Sequence, residues 1–303
     1  MRITVAICTW NRADLLDQTL SAMHELRRPA GIEWEILVVN NNCTDHTDEV
    51  LSRHASDLPL RRVFEPVPGL SNARNRAVAA ATGDLLVWTD DDVLVDPSWL
   101  SAYHDAARAH PEASFFGGPI TPWFDGEPPH WLREHWRIVE SAYAVRDFGT
   151  APLPLSRRAL PFGANFAVRT AVLRKYPFDP DLGFRPDARI PGEESAVFCQ
   201  LLNDGLTGWW VPEAGVQHFL PKERQTTRYL WQYYSGKGEY KALSAGDSGS
   251  RWVGKPRWMW RELVESAVLY YVRRAWAPPE IWLKDLKHYA VQYGRLRGYG
   301  TFS

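Results

Sequence analysis

Three consecutive carboxylates, Asp90, Asp91 and Asp92, stand directly after the apolar run LLVWT. Two unit charges ~4 Å apart repel by roughly 4 kcal/mol at an effective dielectric of about 20, so acids gathered at a strand's end make most sense around a hard divalent cation. The plainer alternative is a solvated acidic turn, or a cluster ahead of a helix whose positive end it favours, with Asp91 as the cap. A second acidic pair, Glu193-Glu194, follows Gly192 and opens a helical pattern, where carboxylates suit the first turn.

Positioning these acids requires a scaffold, and the N-terminal part of the chain alternates strand-like runs with helical segments. Ile3–Cys8 reads as a buried strand, Leu16, Leu20 and Met23 recur at i, i+4 and i+7 on a helix, and Trp34–Val39 is the next strand. A third run, Leu60–Phe64, precedes Ser71 as an N-cap, an alanine-rich helix through Ala81 and Gly83 as its stop. Asp84–Thr89 is a fourth strand, and Pro97 opens another helix. This rhythm predicts an α/β fold, a Rossmann-like, doubly wound, mostly parallel sheet with ligands at the carboxyl ends of its strands, where the Asp90–Asp92 cluster falls. From Gly117 to about Leu160, Pro119, Pro122, Pro128 and Pro129 alternate with Trp123, Trp131 and Trp136, which reads as a loop-rich excursion over one edge. Regularity returns with a helix over Glu193–Asn203, ended by Gly205, and a strand around Gly208–Val211. Beyond Gln225 the chain reads as helical and aromatic.

The 303 residues fit one large α/β domain with an appendage or two modest domains. With 45% hydrophobic and 23% charged residues the chain reads as folded, and 35 basic against 36 acidic side chains argue against a nucleic-acid binder. The charge is divided: residues 251–303 carry ten Lys or Arg against four acids, a net of +6 that leaves −7 upstream. Fifteen tryptophans exceed what a core requires and call for packing, a membrane interface or sugar stacking. Three cysteines without metal-like spacing read against disulfides or zinc and fit a cytoplasmic setting. The opening MRITVAICTW lacks the features of a signal peptide, and the longest apolar stretch, Leu263–Val272, falls short of the ~18 residues of a membrane span and contains Glu265 and Ser266. The expectation is a soluble or peripheral protein.

The opening strand runs into TWNRADLL, and VVNNNCTD (Val38–Asp45), GLSNARNRAV (Gly69–Val78), WTDDDV (Trp88–Val93), FGANFAVR (Phe162–Arg169), PGEES (Pro191–Ser195) and VPEAGVQH (Val211–His218) follow. In that order and spacing they resemble the family 2 glycosyltransferases, nucleotide-sugar-dependent enzymes of the GT-A fold, over roughly Arg2 to His218. The resemblance implies an inverting transfer assisted by Mn²⁺ or Mg²⁺. Asp92 is then the direct metal ligand, Asp90 reaches the ribose, the metal or its water, and the cation clamps the leaving diphosphate. Asp91 joins the nucleotide-sugar contacts. Thr9, Asn11 and Arg12 receive the nucleoside, and Arg74 adds a fixed positive charge near it, although an Arg on a helix most often forms a surface salt bridge. Asn40 stands where an Asp is usual; an amide both donates and accepts, so UDP remains the default nucleotide with its base assignment weakened, and Asn40–Asn42 is alternatively only a polar turn. His218 meets the metal or diphosphate, or is merely structural. Glu194 is the base that takes the acceptor hydroxyl's proton, and Glu193 orients hydroxyls, though Asp is usual there. Gly163 and Asn165 face the acceptor, and Trp123 offers it a ring.

The resemblance implies three segments: a nucleotide-sugar half over 1–118, an acceptor and catalytic half over 119–224, and a helical appendage over 225–303. Gln225, Arg228 and Tyr229 are similar to the Q-x-x-R-W element of processive polysaccharide synthases, but those carry membrane helices, so a single sugar per encounter is expected. On the tail, Trp282, Leu286, Tyr289 and Tyr293 make a helical apolar stripe. It either packs on the catalytic domain or a second subunit, giving a homodimer, or meets an anionic inner-membrane surface carrying a lipid-linked or envelope glycan acceptor. Two other classes stand beside this reading. A sugar-phosphate nucleotidyltransferase would show a glycine-rich basic loop after Ile3–Cys8, and a non-catalytic carbohydrate- or membrane-binding protein would not need acids at both Asp90–Asp92 and Glu193–Glu194.

Overall fold

The apolar N-terminal run forms β1 (Ile3–Thr9), and α1 (Ala13–Met23), β2 (Trp34–Asn40), α2 (Thr47–His54), β3 (Leu60–Phe64), α3 (Leu70–Ala80) and β4 (Leu85–Asp90) follow in the expected alternation. Next come β5 (Val93–Val95), α4 (Trp99–Ala109), β6 (Ala113–Gly117), β7 (Ile120–Phe124), α5 (His130–Val139), β8 (Leu153–Pro154), β9 (Asn165–Arg169) and α6 (Thr170–Leu173). The chain continues through β10 (Gly183–Phe184), β11 (Arg189–Ile190), α7 (Glu193–Asn203), β12 (Thr207–Trp210), β13 (Val216–Leu220) and α8 (Thr227–Ala242). It ends with β14 (Arg251–Trp252), β15 (Lys255–Pro256), α9 (Arg257–Arg274) and α10 (Pro279–Gly298). The computed structural model describes residues 1–28, 31–185, 189–190, 192–242 and 251–299. Pro191, the first residue of the PGEES run, lies outside them. One unit comprises Met1–Trp123 and Ala144–Phe219, the other Phe124–Tyr143 and Leu220–Ser303.

The first unit is built on an eight-stranded sheet of order β3-β2-β1-β4-β9-β6-β12-β8. Strands β9 and β8 run against their neighbours and the other six run one way, so the sheet is mostly parallel. Strands β1, β2 and β4 are buried on both faces, which is why they read as near-continuous apolar runs instead of alternating ones. Their residues alternate between two cores. Ile3, Val5 and Ile7 join Leu16, Leu20, Trp99 and Tyr103 from α1 and α4. Ala6, Leu37 and Val39 join Ala73 and Ala77 of α3 and Phe198 of α7. Helices on both faces make the sheet doubly wound, as the sequence predicts.

The excursion from Gly117 to Leu160 carries more regular structure than its prolines suggest. The prolines mark boundaries: Pro129 is the residue before α5, and Pro122 sits in β7, an edge strand of the three-stranded sheet β5-β13-β7, where a missing N–H is tolerated.

In the second unit α10 packs along α8, α9 and α5 and buries Leu283, Leu286, Ala290 and Leu296. Glycines let α8 and α10 touch backbone to backbone. A Cβ on Gly294 would strike the Ser235 carbonyl, and one on Gly238 would strike the Val291 carbonyl. The stripe expected on α10 packs inside this unit: Trp282 lies 6.0 Å from Trp131, and Trp231 lies 4.6 Å from Tyr289 and 5.3 Å from Tyr293. Gly294→Val is therefore expected to cost about 1–3 kcal/mol by forcing these helices apart. Thermal unfolding should show a midpoint several degrees lower; an unchanged midpoint would mean that the contact contributes nothing.

Candidate active site

In the sheet order, β1 lies between β2 and β4: the chain moves to one side after β1 and crosses to the other to form β4. A crevice at the carboxyl ends of β1 and β4 follows from that reversal. Thr9–Arg12 leave β1 there, and Asp90–Asp92 leave β4. The chain passes from these acids straight into strand β5, so Asp91 has no helix to cap. The antiparallel partner of β5 is β13, whose register sets His218 opposite Val93, next in sequence to Asp92. Asp92 Oδ1 consequently faces His218 Nε2 at 3.4 Å.

Asp90, Asp92 and His218 each offer a ligand atom, and these atoms lie within 4.8 Å of one another. Asp92 Oδ1 and His218 Nδ1 are buried without a hydrogen-bond partner, a costly state that a bound cation would relieve at the carboxylate. Two carboxylates and an imidazole suit Mn²⁺, and Mg²⁺ with added waters. Arg12 Nη1 donates to Asp91 Oδ1 at 3.1 Å and to Asp92 Oδ2 at 2.8 Å. Burial, reinforced by the Asp92 charge and opposed by Arg12, pushes the Asp91 carboxyl up to about 7. Burial likewise pushes Asp90 up, held back by Arg74. This cluster has more negative charge than its surroundings offset.

The acidic pair is tied to that cluster by one guanidinium. Arg74 lies on the buried face of α3 with Ala73, Ala77 and Val78, and its side chain is 3% exposed. Its Nη1 donates to Glu193 Oε1 at 3.0 Å and lies 3.8 Å from Glu194 Oε2, while Nη2 lies 3.9 Å from Asp90 Oδ1 and donates to the Gly163 carbonyl. The rings of Trp88, Phe166 and Phe178 surround it at 5.4–5.9 Å. Arg74 thus holds carboxylates inside the protein instead of forming a surface salt bridge or reaching out to a nucleotide. Glu193, also buried, uses one oxygen on Arg74 and accepts the Gly192 N–H with the other. Glu194 has the longer ion pair to Arg74, and burial together with the charge of its neighbour Glu193 pushes its carboxyl up to about 7, against the pull of Arg74. A carboxylate of that basicity suits proton removal near neutral pH.

The remaining candidates separate into spent and available groups. Asn165 is fully buried: its carbonyl oxygen accepts from Trp99 Nε1 and Tyr103 Oη, and its amide donates to Pro119 and Ala214 carbonyls. It has nothing left for an acceptor, and it braces β9 instead. Asn40 corrects in the same way. It is 2% exposed, donates to Asp48 and accepts the Cys43 N–H, so its side chain fastens the loop after β2 and does not read a base. Asn11 adopts φ 52, a conformation Asn tolerates, and its Oδ1 accepts the Thr44 N–H at 2.7 Å. Thr9 is buried. Gly163 has no room for a side chain, because a Cβ would stand 2.5 Å from Arg74 Nη2. Trp123, half-buried, meets Phe219 edge-on at 4.8 Å. Gln225, buried, donates to the Leu220 and Asp125 carbonyls, a structural role for the first residue of the Q-x-x-R run. Sequence reading passed over Trp10, which is 51% exposed immediately after β1. A large ring between the strand end and Asn11 was the available signal.

Residues 4–176 match the family model described as Glycosyl transferase family 2. Succinoglycan biosynthesis protein ExoM of Rhizobium meliloti is 24% identical over 267 residues, spanning 83% of this chain and 78% of that protein. Validoxylamine A glucosyltransferase of Streptomyces hygroscopicus is 31% identical over 156 residues, spanning 50% of this chain and 36% of that protein. Among solved structures, the mannosyltransferase PcManGT from Pyrobaculum calidifontis, in complex with GDP-Man and Mn²⁺, superposes with a TM-score of 0.62 at 19% identity, covering 97% of this chain and 87% of that one. Residues 1–349 of S. aureus TarS with UDP give a TM-score of 0.55 at 14% identity, covering 98% and 91%. With more than half of its length matching the family and its fold matching GT-A glycosyltransferases, this chain belongs to glycosyl transferase family 2.

Proposed function

We propose an inverting, metal-dependent transfer of one sugar from a nucleotide-diphosphate sugar, with UDP the favoured nucleotide, to a hydroxyl of a lipid-linked or cell-envelope glycan. The carrying observation is the joining of two groups by Arg74: the Asp90, Asp92 and His218 ligand set on one side and a Glu194 carboxyl at about 7 on the other. A bound Mn²⁺ or Mg²⁺ would supply Lewis-acid stabilisation of the leaving diphosphate. Glu194 accepts the acceptor hydroxyl's proton as that oxygen attacks the anomeric carbon from the face opposite the diphosphate. Glu193, pinned by Arg74, fixes the start of α7 and so the direction of Glu194. Arg12, paired with Asp91 and Asp92 and 43% exposed, is placed to meet a donor phosphate. Trp10 offers a stacking face to the nucleoside. The donor is received by residues 1–118 and the acceptor by residues 119–224, with 225–303 as the helical appendage.

A thermal-shift screen of nucleoside diphosphates and their sugars, each with and without Mn²⁺ or Mg²⁺, tests this reading. Stabilisation by a nucleotide should need the cation, and Asp92→Asn should remove the cation's share of it. Binding at [L] = 100 Kd would add about 2.7 kcal/mol, several degrees in midpoint. No stabilisation by any donor would overturn the assignment.

A further inference from the structure

With the α10 stripe packed away, the apolar face left uncovered among the described residues lies on α9. Val264, Val268, Leu269, Tyr271, Val272 and Trp276 are between 43% and 72% exposed. Arg257, Val264, Val268, Tyr271 and Ala275 succeed one another at helical spacings on one side, while Met259, Ser266 and Tyr270 are buried on the other. Trp252 and Val253, exposed at the turn between β14 and β15, stand at one end of this face and Trp276 at the other. Trp252 leans on Trp260 of α9 at 5.3 Å. At 1.5 Å per residue the face runs for about 28 Å, long for an exposed apolar patch.

The net charge around it is positive. The acids of this region are committed: Glu262 to Arg295 and Asp285 to Arg273 at 3.3 Å, Glu265 to Arg261 and Glu280 to His135 at 3.7 Å. Among the described residues Arg228, Arg257 and Lys284 have no carboxylate within ion-pair distance, and Arg274 donates to the Tyr270 hydroxyl. Beside the apolar face opens a cleft of about 280 Å³ lined by Thr227, Arg228, Trp231, Tyr270, Tyr271 and Arg274. Two guanidiniums and a hydroxyl among aromatic walls are the chemistry of a phosphate bound next to apolar groups, and Tyr271 belongs to both cleft and face.

We propose that α9 and the Arg228–Arg274 cleft form a docking surface for an anionic phospholipid bilayer, the apolar face entering the headgroup boundary and the cleft receiving a lipid phosphate. The helix lies in the plane of the surface, since no helix among the described residues is long and apolar enough to cross a membrane. A second copy is the poorer occupant. Symmetric antiparallel pairing of α9 would bring Arg257 and Arg261 of one copy against Arg273 and Arg274 of the other, and parallel pairing would oppose each Arg with itself. The inference deepens the reading of a membrane-carried acceptor, and its test makes no use of the transfer reaction.

The full-length protein is sedimented with vesicles of phosphatidylcholine alone and with phosphatidylglycerol added. Anionic lipid should raise the bound fraction on the order of tenfold, and high salt should reverse it. Val268→Glu with Val272→Glu should abolish vesicle binding, and Arg228→Ala should weaken it about fivefold. Each variant keeps its thermal stabilisation by nucleoside diphosphate, so failure on vesicles is read apart from failure of the transferase site. Inorganic phosphate alone should leave the thermal midpoint unchanged. Equal binding to neutral and anionic vesicles, binding of inorganic phosphate without vesicles, or a lipid-free dimer that the double variant dissolves would each overturn the proposal.

Discussion

Glu194→Gln is expected to lower turnover by about 10²–10⁴-fold while leaving nucleotide-sugar binding unchanged. The substitution keeps the side chain's size and removes its ability to take a proton. It leaves the Arg74–Glu193 pair at 3.0 Å intact, so the start of α7 should not move. The pH profile supplies a second readout. The Glu194 carboxyl stands at about 7, raised by burial and by the Glu193 charge, and it acts only when ionised. The wild-type kcat/KM should therefore climb with pH and level off above about 7, and the residual activity of the variant should lose that limb. Stability should move the other way. A carboxyl whose native pKa stands above its unfolded value of 4.5 holds its proton more tightly when folded, so its contribution to folding is lost as pH rises from 4.5 through about 7. Glu194→Gln should then unfold at a higher temperature than wild type at pH 8. If turnover survives this change and falls with Glu193→Gln, the proton acceptor is Glu193.

Arg74→Met is expected to be the most damaging substitution to the fold, costing about 3–5 kcal/mol, because it strands buried carboxylates without their counter-charge. Glu193 loses its partner at 3.0 Å, and Glu194 and Asp90 lose a positive charge within 4 Å. Three aromatic rings around the site offer packing but no compensating charge. The informative variant is Arg74→Lys, which keeps a charge but not the planar fork that reaches Glu193 and the Gly163 carbonyl at once. It should fold, with kcat reduced more than the affinity for nucleotide. Because Arg74 pulls the Glu194 carboxyl down, weakening that contact should shift the rate limb to higher pH. A merely structural role would lower the melting temperature and leave the limb in place.

The first half of the sheet was legible because β1, β2 and β4 are buried on both faces and the helices beside them carry plain 3.6-residue patterns. Even the boundaries of Leu60–Phe64 and Glu193–Asn203 coincide with β3 and α7. The acids and His218 were legible as residue types at strand and helix ends. Their grouping was not, because the pairing of β13 with β5 joins positions more than a hundred residues apart. The roles of Asn40, Asn165 and Arg74 were the hardest to read. All three have side chains that would serve a ligand equally well, and only burial shows that their hydrogen bonds close on the protein. In the tail, aromatic periodicity marked α10 correctly as a helix with an apolar face. It could not show that α8, brought close by Gly238 and Gly294, would cover that face and, among the described residues, leave the α9 side exposed.

Strand β9, drawn from the second half of the chain, lies between β4 and β6 and is hydrogen-bonded to both. The strand that delivers Asp90 and the segment leading from Gly163 are therefore rows of one continuous lattice, with no hinge between these two parts of the sheet. Such a frame cannot work by closing two lobes over a substrate. Its advantage is a geometry fixed before the reactants arrive, with the reorganisation cost already met during folding, and any adjustment left to the loops at the strand ends.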